Sequence, residues 1–324
     1  MRRREFIAAV GGAVVTSFAA RAQQLPVVGF MSSRAQADSE HLIAAFRRGL
    51  AEAGFVEGQN VSVAYGWAGG RYDRLDAIVA EFVSRNVAVI VAVGGVPSAR
   101  AAKEGAATTP IVFSIGPDPV KLGLVASLNH PGGNATGITL LTTELEPKRL
   151  GLVRELVPNA ALIAVLINPD NPPSTDQAKD VQQAASSLGS RLLLLYARTR
   201  QELDAAFAIV TRERPDALLV GADPFFDTQR NYIIDFATGQ RLPALYQFRE
   251  YAVAGGLISY GISVTEGYRL VGEYAGRILR GEKPSDLPVV QSTKFELIIN
   301  LRTARALGLQ IPDKLLALAD EVIE

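Results

Sequence analysis

The chain is 324 residues long, 48% apolar and 20% charged, with 33 basic and 33 acidic residues. That length suits one large domain or two mid-sized ones, since single cores stop growing near ~250–300 residues, and the charge balance excludes a disordered chain and a nucleic-acid binder that relies on net charge. The lack of cysteine excludes disulfides, thiolate metal sites, a cysteine nucleophile and a lipid-anchored cysteine, and with only His41 and His130 no metal or other cofactor is expected.

The first 22 residues read as an address. Arg2-Arg3-Arg4 precedes a mostly apolar stretch from Phe6 to Phe18, and Ala20-Arg21-Ala22 follows. A basic start, a short apolar run and an A-x-A site are the parts of an export signal, and the paired arginines followed by x-Phe-Ile suit the twin-arginine route. The apolar run is too short to span a bilayer, which needs roughly 20 residues. Cleavage after Ala22 leaves 29 basic and 32 acidic residues, a formal charge of −3. The expected product is secreted or periplasmic, and lack of cysteine suits an oxidising compartment.

From Leu25 the chain repeats a short Val/Ile-rich run, a small-residue turn and a helical pattern. Strands are expected at 26–31, 61–65, 87–93 and 110–115, with helices at 39–53 and 75–83. The first helix places Leu42, Ile43, Phe46, Leu50 and Ala53 on one stripe and ends at Gly54. The alternation restarts after Gly137, with strands at 161–167, 191–196, 217–220, 244–246 and 257–260 and helices at 176–188, 201–212 and 227–238. A tail adds a helix at 264–279, a strand at 295–300 and a short helix at 303–307.

This alternation predicts an α/β protein with two doubly wound parallel-sheet lobes joined by a hinge. Residues 23–137 plus about 262–290 form the expected N-terminal lobe. Residues 138–261 plus about 291–324 form the C-terminal lobe. An eight-stranded α/β barrel is the rival, disfavoured by the break around Asn129–Gly137.

In open α/β sheets ligands lie beyond the carboxyl ends of the strands. In the first lobe those ends carry Ser32-Ser33, Gly94-Gly95-Val96-Pro97-Ser98 and Ser114-Ile115-Gly116-Pro117-Asp118. In the second they carry Asn168-Pro169-Asp170, Asp223-Pro224-Phe225-Phe226 and Tyr246-Gln247-Phe248. Small residues, hydroxyls, carboxylates and rings together suit a small zwitterion with an apolar part. Amides at a helix start would take its carboxylate, Asp223 or Asp118 its ammonium, and rings its side chain. Each residue alone has an ordinary explanation, because Asp-Pro and Asn-Pro start turns and cap helices. Trp67 either stacks on a ligand at the cleft mouth or simply packs. No phosphate loop, nucleophile elbow or H-E-x-x-H motif is present. Gly132–Gly137 lacks G-x-G-x-x-G spacing and reads as a lead-in to the second lobe.

The sequence resembles the ABC-transporter substrate-binding proteins related to the tryptophan/tyrosine-binding type, which have a type I periplasmic-binding-protein fold. The resemblance rests on Asp118-Pro119-Val120, Gly123–Leu128, Pro131–Gly137, Gly255–Gly261, Ile278–Pro284, Leu287–Val289, Lys294–Asn300 and Asp320–Ile323. It implies a cleft that closes on a small solute and presents it to a membrane permease with its ATPase. No nucleic acid is implied; docking at the inner membrane is peripheral, and a monomer suits the handover. The matching cleft positions are Ser33, Gly95, Ser98, Ser114, Asp118, Thr136, Asn168, Asp223, Tyr246 and Tyr260. Val96 stands where family members with aromatic amino-acid ligands often carry a threonine after glycine. A ligand-sensing module for a signalling partner would use the same cleft. An exported enzyme would need a reactive group with an activating neighbour, and none is visible.

Overall fold

The computed structural model describes residues 25–324 apart from 141, 143 and 293; the export-signal reading at 1–22 lies outside the described residues. In chain order β1 (Val27–Ser32), α1 (Glu40–Glu52), β2 (Ser62–Trp67), α2 (Leu75–Ser84), β3 (Val89–Val93), α3 (Val96–Gly105), β4 (Ile111–Ile115) and β5 (Ala135–Thr139) build the first lobe. The second contains α4 (Glu146–Leu156), β6 (Leu162–Ile167), α5 (Ser174–Ser187), β7 (Arg191–Tyr196), α6 (Arg200–Glu213) and β8 (Ala217–Val220). It continues with α7 (Pro224–Thr228), α8 (Arg230–Gly239), β9 (Ala244–Tyr246), α9 (Arg249–Val253) and β10 (Ile258–Ile262). The tail holds α10 (Val264–Leu279), β11 (Val290–Gln291), β12 (Phe295–Asn300), α11 (Leu301–Leu307), α12 (Asp313–Leu318) and β13 (Glu321–Ile323).

Two separate sheets exclude the barrel. One runs β11-β5-β4-β3-β1-β2 and the other β13-β12-β10-β9-β8-β6-β7. Pairing is parallel except where β12 runs antiparallel to β10. The central strands are apolar on both faces because helices cover both: every residue of β3 is buried, and so are those of β4 and β8.

The stretch 132–137 does not lead into the second lobe. It leads into β5, which pairs with β4 in the first sheet. A Cβ on Gly137 would lie 2.1 Å from the Phe113 carbonyl oxygen, so the glycine serves close strand packing.

The chain passes between the sheets after β5, between β10 and α10, and between β11 and β12. On the second of these passages α10 returns to the first lobe and lies along α1. Glycines permit the contact: a Cβ on Gly49 would meet the Arg269 carbonyl oxygen at 1.8 Å, and one on Gly272 the Phe46 carbonyl oxygen at 2.1 Å. Phe46, Leu50, Tyr268, Val271 and Ala275 are buried around this seam.

A buried ion pair ties the first passage to the second lobe. Glu146 and Arg149 are fully buried and 3.2 Å apart. Arg149 donates to the carbonyls of Thr142 (2.8 Å) and Tyr260 (2.7 Å), which lie on the first passage and on β10. Glu146 accepts from Gln177 (2.8 Å) and the Ala222 amide (3.3 Å). Burial pushes the Glu146 carboxyl up, while Arg149, Gln177 and the Ala222 amide oppose that shift.

Candidate functional site

The carboxyl ends of the two sheets face each other across a cleft. From the first lobe it is lined by Arg34, Gly94-Gly95-Val96, Ser114 and Gly116. From the second come Asn171, Asp223, Asp227 and Phe248, and from the connecting segments Thr142, Val264 and Tyr268. The cleft contains about 500 Å³ of empty space, its mouth included.

On the first lobe β3 ends in Gly94 (φ 84°) and Gly95 (φ 109°), and α3 starts at once with Pro97 in its first turn. A side chain on Gly94 would come within 2.9 Å of Ser32 Oγ and the Ser33 amide. Glycine therefore lets β3 turn tightly past the end of β1 and brings the N-terminus of α3, with its unpaired first-turn amides, to the cleft. Ser33 and Ser98 bond to each other at 2.6 Å behind that turn. Ser114 is buried with no hydrogen-bond partner and lines the cleft.

On the second lobe Asp223 follows β8 and caps α7, accepting from the Phe225 amide at 2.9 Å. It also accepts from Asn168 at 2.9 Å and, across the cleft, from the Tyr72 hydroxyl at 2.8 Å. Burial pushes its carboxyl from 3.8 up to about 6, against the donors Asn168 and Tyr72. Asp227 lies one helical turn later. It accepts from Gln247 at 2.7 Å and pairs with Arg34 of the first lobe at 2.6 Å. Burial raises its carboxyl too, and Arg34 opposes that rise. For Arg34 burial lowers the guanidinium, but Asp227 and its neighbours more than reverse this. At the rim His41 stands 3.3 Å from Glu250 and Arg230 4.0 Å from Asp38, so the lobes are closed on each other.

Of the ten positions read from sequence, Gly95, Ser114 and Asp223 line the cleft, with Asn168 bonded to Asp223 and Ser33 and Ser98 just behind the glycine turn. The other four are engaged elsewhere. Thr136 is enclosed in β5 and donates to the Leu287 carbonyl at 2.6 Å. Tyr246 stacks on Tyr251 in the core at 4.7 Å. Tyr260 stacks on Phe295 and is not part of the cleft lining. Asp118 closes its own turn by accepting from the Val120 amide at 2.8 Å. Trp67 packs beside Tyr65 and Phe30.

Sequence reasoning missed Arg34, Tyr72, Thr142, Asn171, Asp227 and Tyr268 as cleft residues. Arg34 sits two residues past β1, and Asp227 one turn after Asp223. Reading one further turn beyond each strand end would have reached both. Tyr72 lies in a single 3₁₀ turn with no pattern to mark it.

No cluster of three His, Asp or Glu side chains suited to a metal occurs among the described residues, and none of their helices is long and apolar enough to cross a membrane.

The fold and cleft have counterparts. A tyrosine-binding protein of Clostridioides difficile (strain R20291) is 29% identical over 267 residues, 82% of this chain and 76% of that protein. A conserved domain protein of Vibrio cholerae O1 biovar El Tor has a TM-score of 0.85 at 26% identity, covering 92% of this chain and all of that one. An ABC domain from Streptococcus pneumoniae, solved with L-Trp, has a TM-score of 0.81 at 22% identity, covering 91% of this chain and all of that one. The architecture is that of the type I periplasmic binding proteins. The model of the ABC transporter substrate binding protein family matches residues 34–323, and the chain belongs to that family.

Proposed function

We propose that this substrate-binding protein works in the periplasm after export, captures a small molecule, an amino acid or similar, between its lobes, and hands it unaltered, as a monomer, to a permease and its ATPase. The observation that carries the ligand class is the opposed polarity of the cleft walls. The first lobe offers donors: the N-terminus of α3, the Ser114 hydroxyl and Arg34. The second offers acceptors: Asp223, Asp227 and the unpartnered Asn171 Oδ1. A ligand with a carboxylate at one end and an ammonium at the other meets both walls at once, which favours closure. The Clostridioides difficile relative is a tyrosine-binding protein and the pneumococcal domain was solved with L-Trp, which supports an amino-acid class.

The test is a thermal-shift screen over amino acids, nucleosides and small acids, followed by calorimetry on Asp223→Ala. Ligand at 100 times Kd adds about 2.7 kcal/mol of stability. The expected outcome is stabilisation by one amino acid or a close analogue, with weaker binding by a folded Asp223→Ala. Stabilisation by nucleosides alone would remove the amino-acid class. Unchanged affinity would remove Asp223 from the site.

A further inference from the structure

Arg34 reaches out of the first lobe into the cleft and ends 2.6 Å from Asp227 of the second. Its guanidinium carbon lies 5.5 Å from the centre of the Phe248 ring, and the buried Tyr268 hydroxyl is another close neighbour. One arm of the guanidinium is taken by Asp227, while the buried Nε has no partner. The side chain therefore stands across the part of the cleft walled by the aromatic residues Phe248 and Tyr268.

From this we infer that Arg34 sets the specificity of the cleft: it closes the aromatic-walled end, so that the site takes α-amino acids with short side chains and rejects aromatic ones, and it offers its free Nε–H to an acceptor on the ligand. This rests on the proposed amino-acid binding and names the subset of amino acids bound. The aromatic walls alone would argue for a ring-bearing ligand. Arg34 changes that reading, because it already occupies the face of Phe248 that such a ring would stack on. The ion pair with Asp227 keeps it there, since a buried guanidinium withdrawn from its carboxylate would leave both charges unpaired.

The experiment is calorimetric titration of the wild type, Arg34→Lys and the double variant Arg34→Ala, Asp227→Asn with glycine, alanine, serine, leucine, tyrosine and tryptophan. The double variant removes the bulk without stranding a buried carboxylate, and its unfolding midpoint is measured alongside. The wild type is expected to bind a short-chain amino acid and to give no heat with tryptophan or tyrosine. The double variant should gain affinity for the aromatic pair by about tenfold or more and lose it for the short ones. Arg34→Lys, lacking the planar fork, should weaken short-chain binding. Wild-type binding of tryptophan as tight as that of alanine, or an unchanged ranking in the double variant, overturns the specificity role and leaves the amino-acid function standing. Failure of every form with every amino acid overturns both.

Discussion

Tyr72→Phe probes closure with a single atom. The ring is kept, and the hydroxyl that crosses from the first lobe to Asp223 at 2.8 Å is lost. Asp223 retains Asn168 and the Phe225 amide, each at 2.9 Å, so the second lobe keeps its local structure. A hydrogen bond to a charged acceptor contributes about 1.5–3 kcal/mol. At about 1.4 kcal/mol per decade, losing it shifts the closed–open equilibrium by roughly 10- to 150-fold toward open. When the closed form is the minor state without ligand, Kd rises by the same factor. The effect depends on pH. Above about 6 the Asp223 carboxylate is charged and the lost bond is the strong kind. Below that value it is protonated and the bond is between neutral groups, about 0.5–1.5 kcal/mol. The ratio of variant to wild-type Kd should therefore be large at pH 7.5 and fall several-fold at pH 5. Calorimetry at both values measures the ratio, and small-angle scattering of the unliganded forms reports lobe separation. A Kd within twofold of wild type at pH 7.5, with unchanged scattering, would refute the argument that this bond holds the lobes together.

Three further outcomes follow from the same geometry. Asp223 has a folded pKa of about 6 against 3.8 unfolded, so the folded state holds the extra proton between those values and stability falls as pH rises through them, by on the order of 3 kcal/mol; urea midpoints of the wild type should drop between pH 4 and 7 by more than those of Asp223→Asn, and equal drops would rule the carboxyl out as the source. Arg149→Met leaves Glu146 buried without its cation and should cost about 3–5 kcal/mol in denaturant unfolding, with Arg149→Met, Glu146→Gln recovering most of it; no recovery would place the loss in packing. Gly272→Ala drives a Cβ to 2.1 Å from the Phe46 carbonyl oxygen and should destabilise by about 3 kcal/mol or more, whereas Gly151→Ala, with nothing within 4 Å, should be neutral or stabilising by up to ~1 kcal/mol; similar melting temperatures for both would contradict the close packing of α1 on α10.

The strands and helices with a single dominant signal were legible. β3 is a continuous apolar run buried on both faces, and α10 carries an unbroken apolar stripe, so both appear from sequence close to where they fold. β5 escaped because Ala135-Thr136-Gly137-Ile138-Thr139 has one large aliphatic residue, and its burial comes from neighbours instead of its own composition. The helix α4 escaped because Glu146 and Arg149, which read as surface charges, are buried against each other. The expected helix at 227–238 is two helices that meet at Gln229, a boundary with no glycine or proline to announce it. For the site, the rule that ligands sit beyond strand ends found Gly95, Ser114 and Asp223, since it depends only on topology. It also named Tyr246 and Tyr260, which lie off the cleft lining because side-chain direction alternates along a strand: Tyr246 packs in the core and Tyr260 on Phe295. It stopped short of Arg34 and Asp227 because both belong to contacts between lobes, and no local pattern encodes a contact across a cleft.

The difference between hinge and cleft explains how such a molecule can respond to a small solute. At the hinge, Arg149 holds the carbonyls of Thr142 and Tyr260, so the first passage is tied firmly to β10 of the second lobe. At the other end α10 is locked on α1 by backbone contacts that admit no side chain at Gly49 or Gly272. Bending is thereby confined to Ser263, the single residue between β10 and α10, and to the connections on the other passages. Across the cleft, by contrast, polar pairs join the walls, Tyr72 with Asp223 and Arg34 with Asp227. Both pairs exchange protein partners for water when the lobes part, so these contacts bias the equilibrium toward closure by only a few kcal/mol at most. A ligand that bonds to both walls supplies free energy on that same scale and can decide the equilibrium.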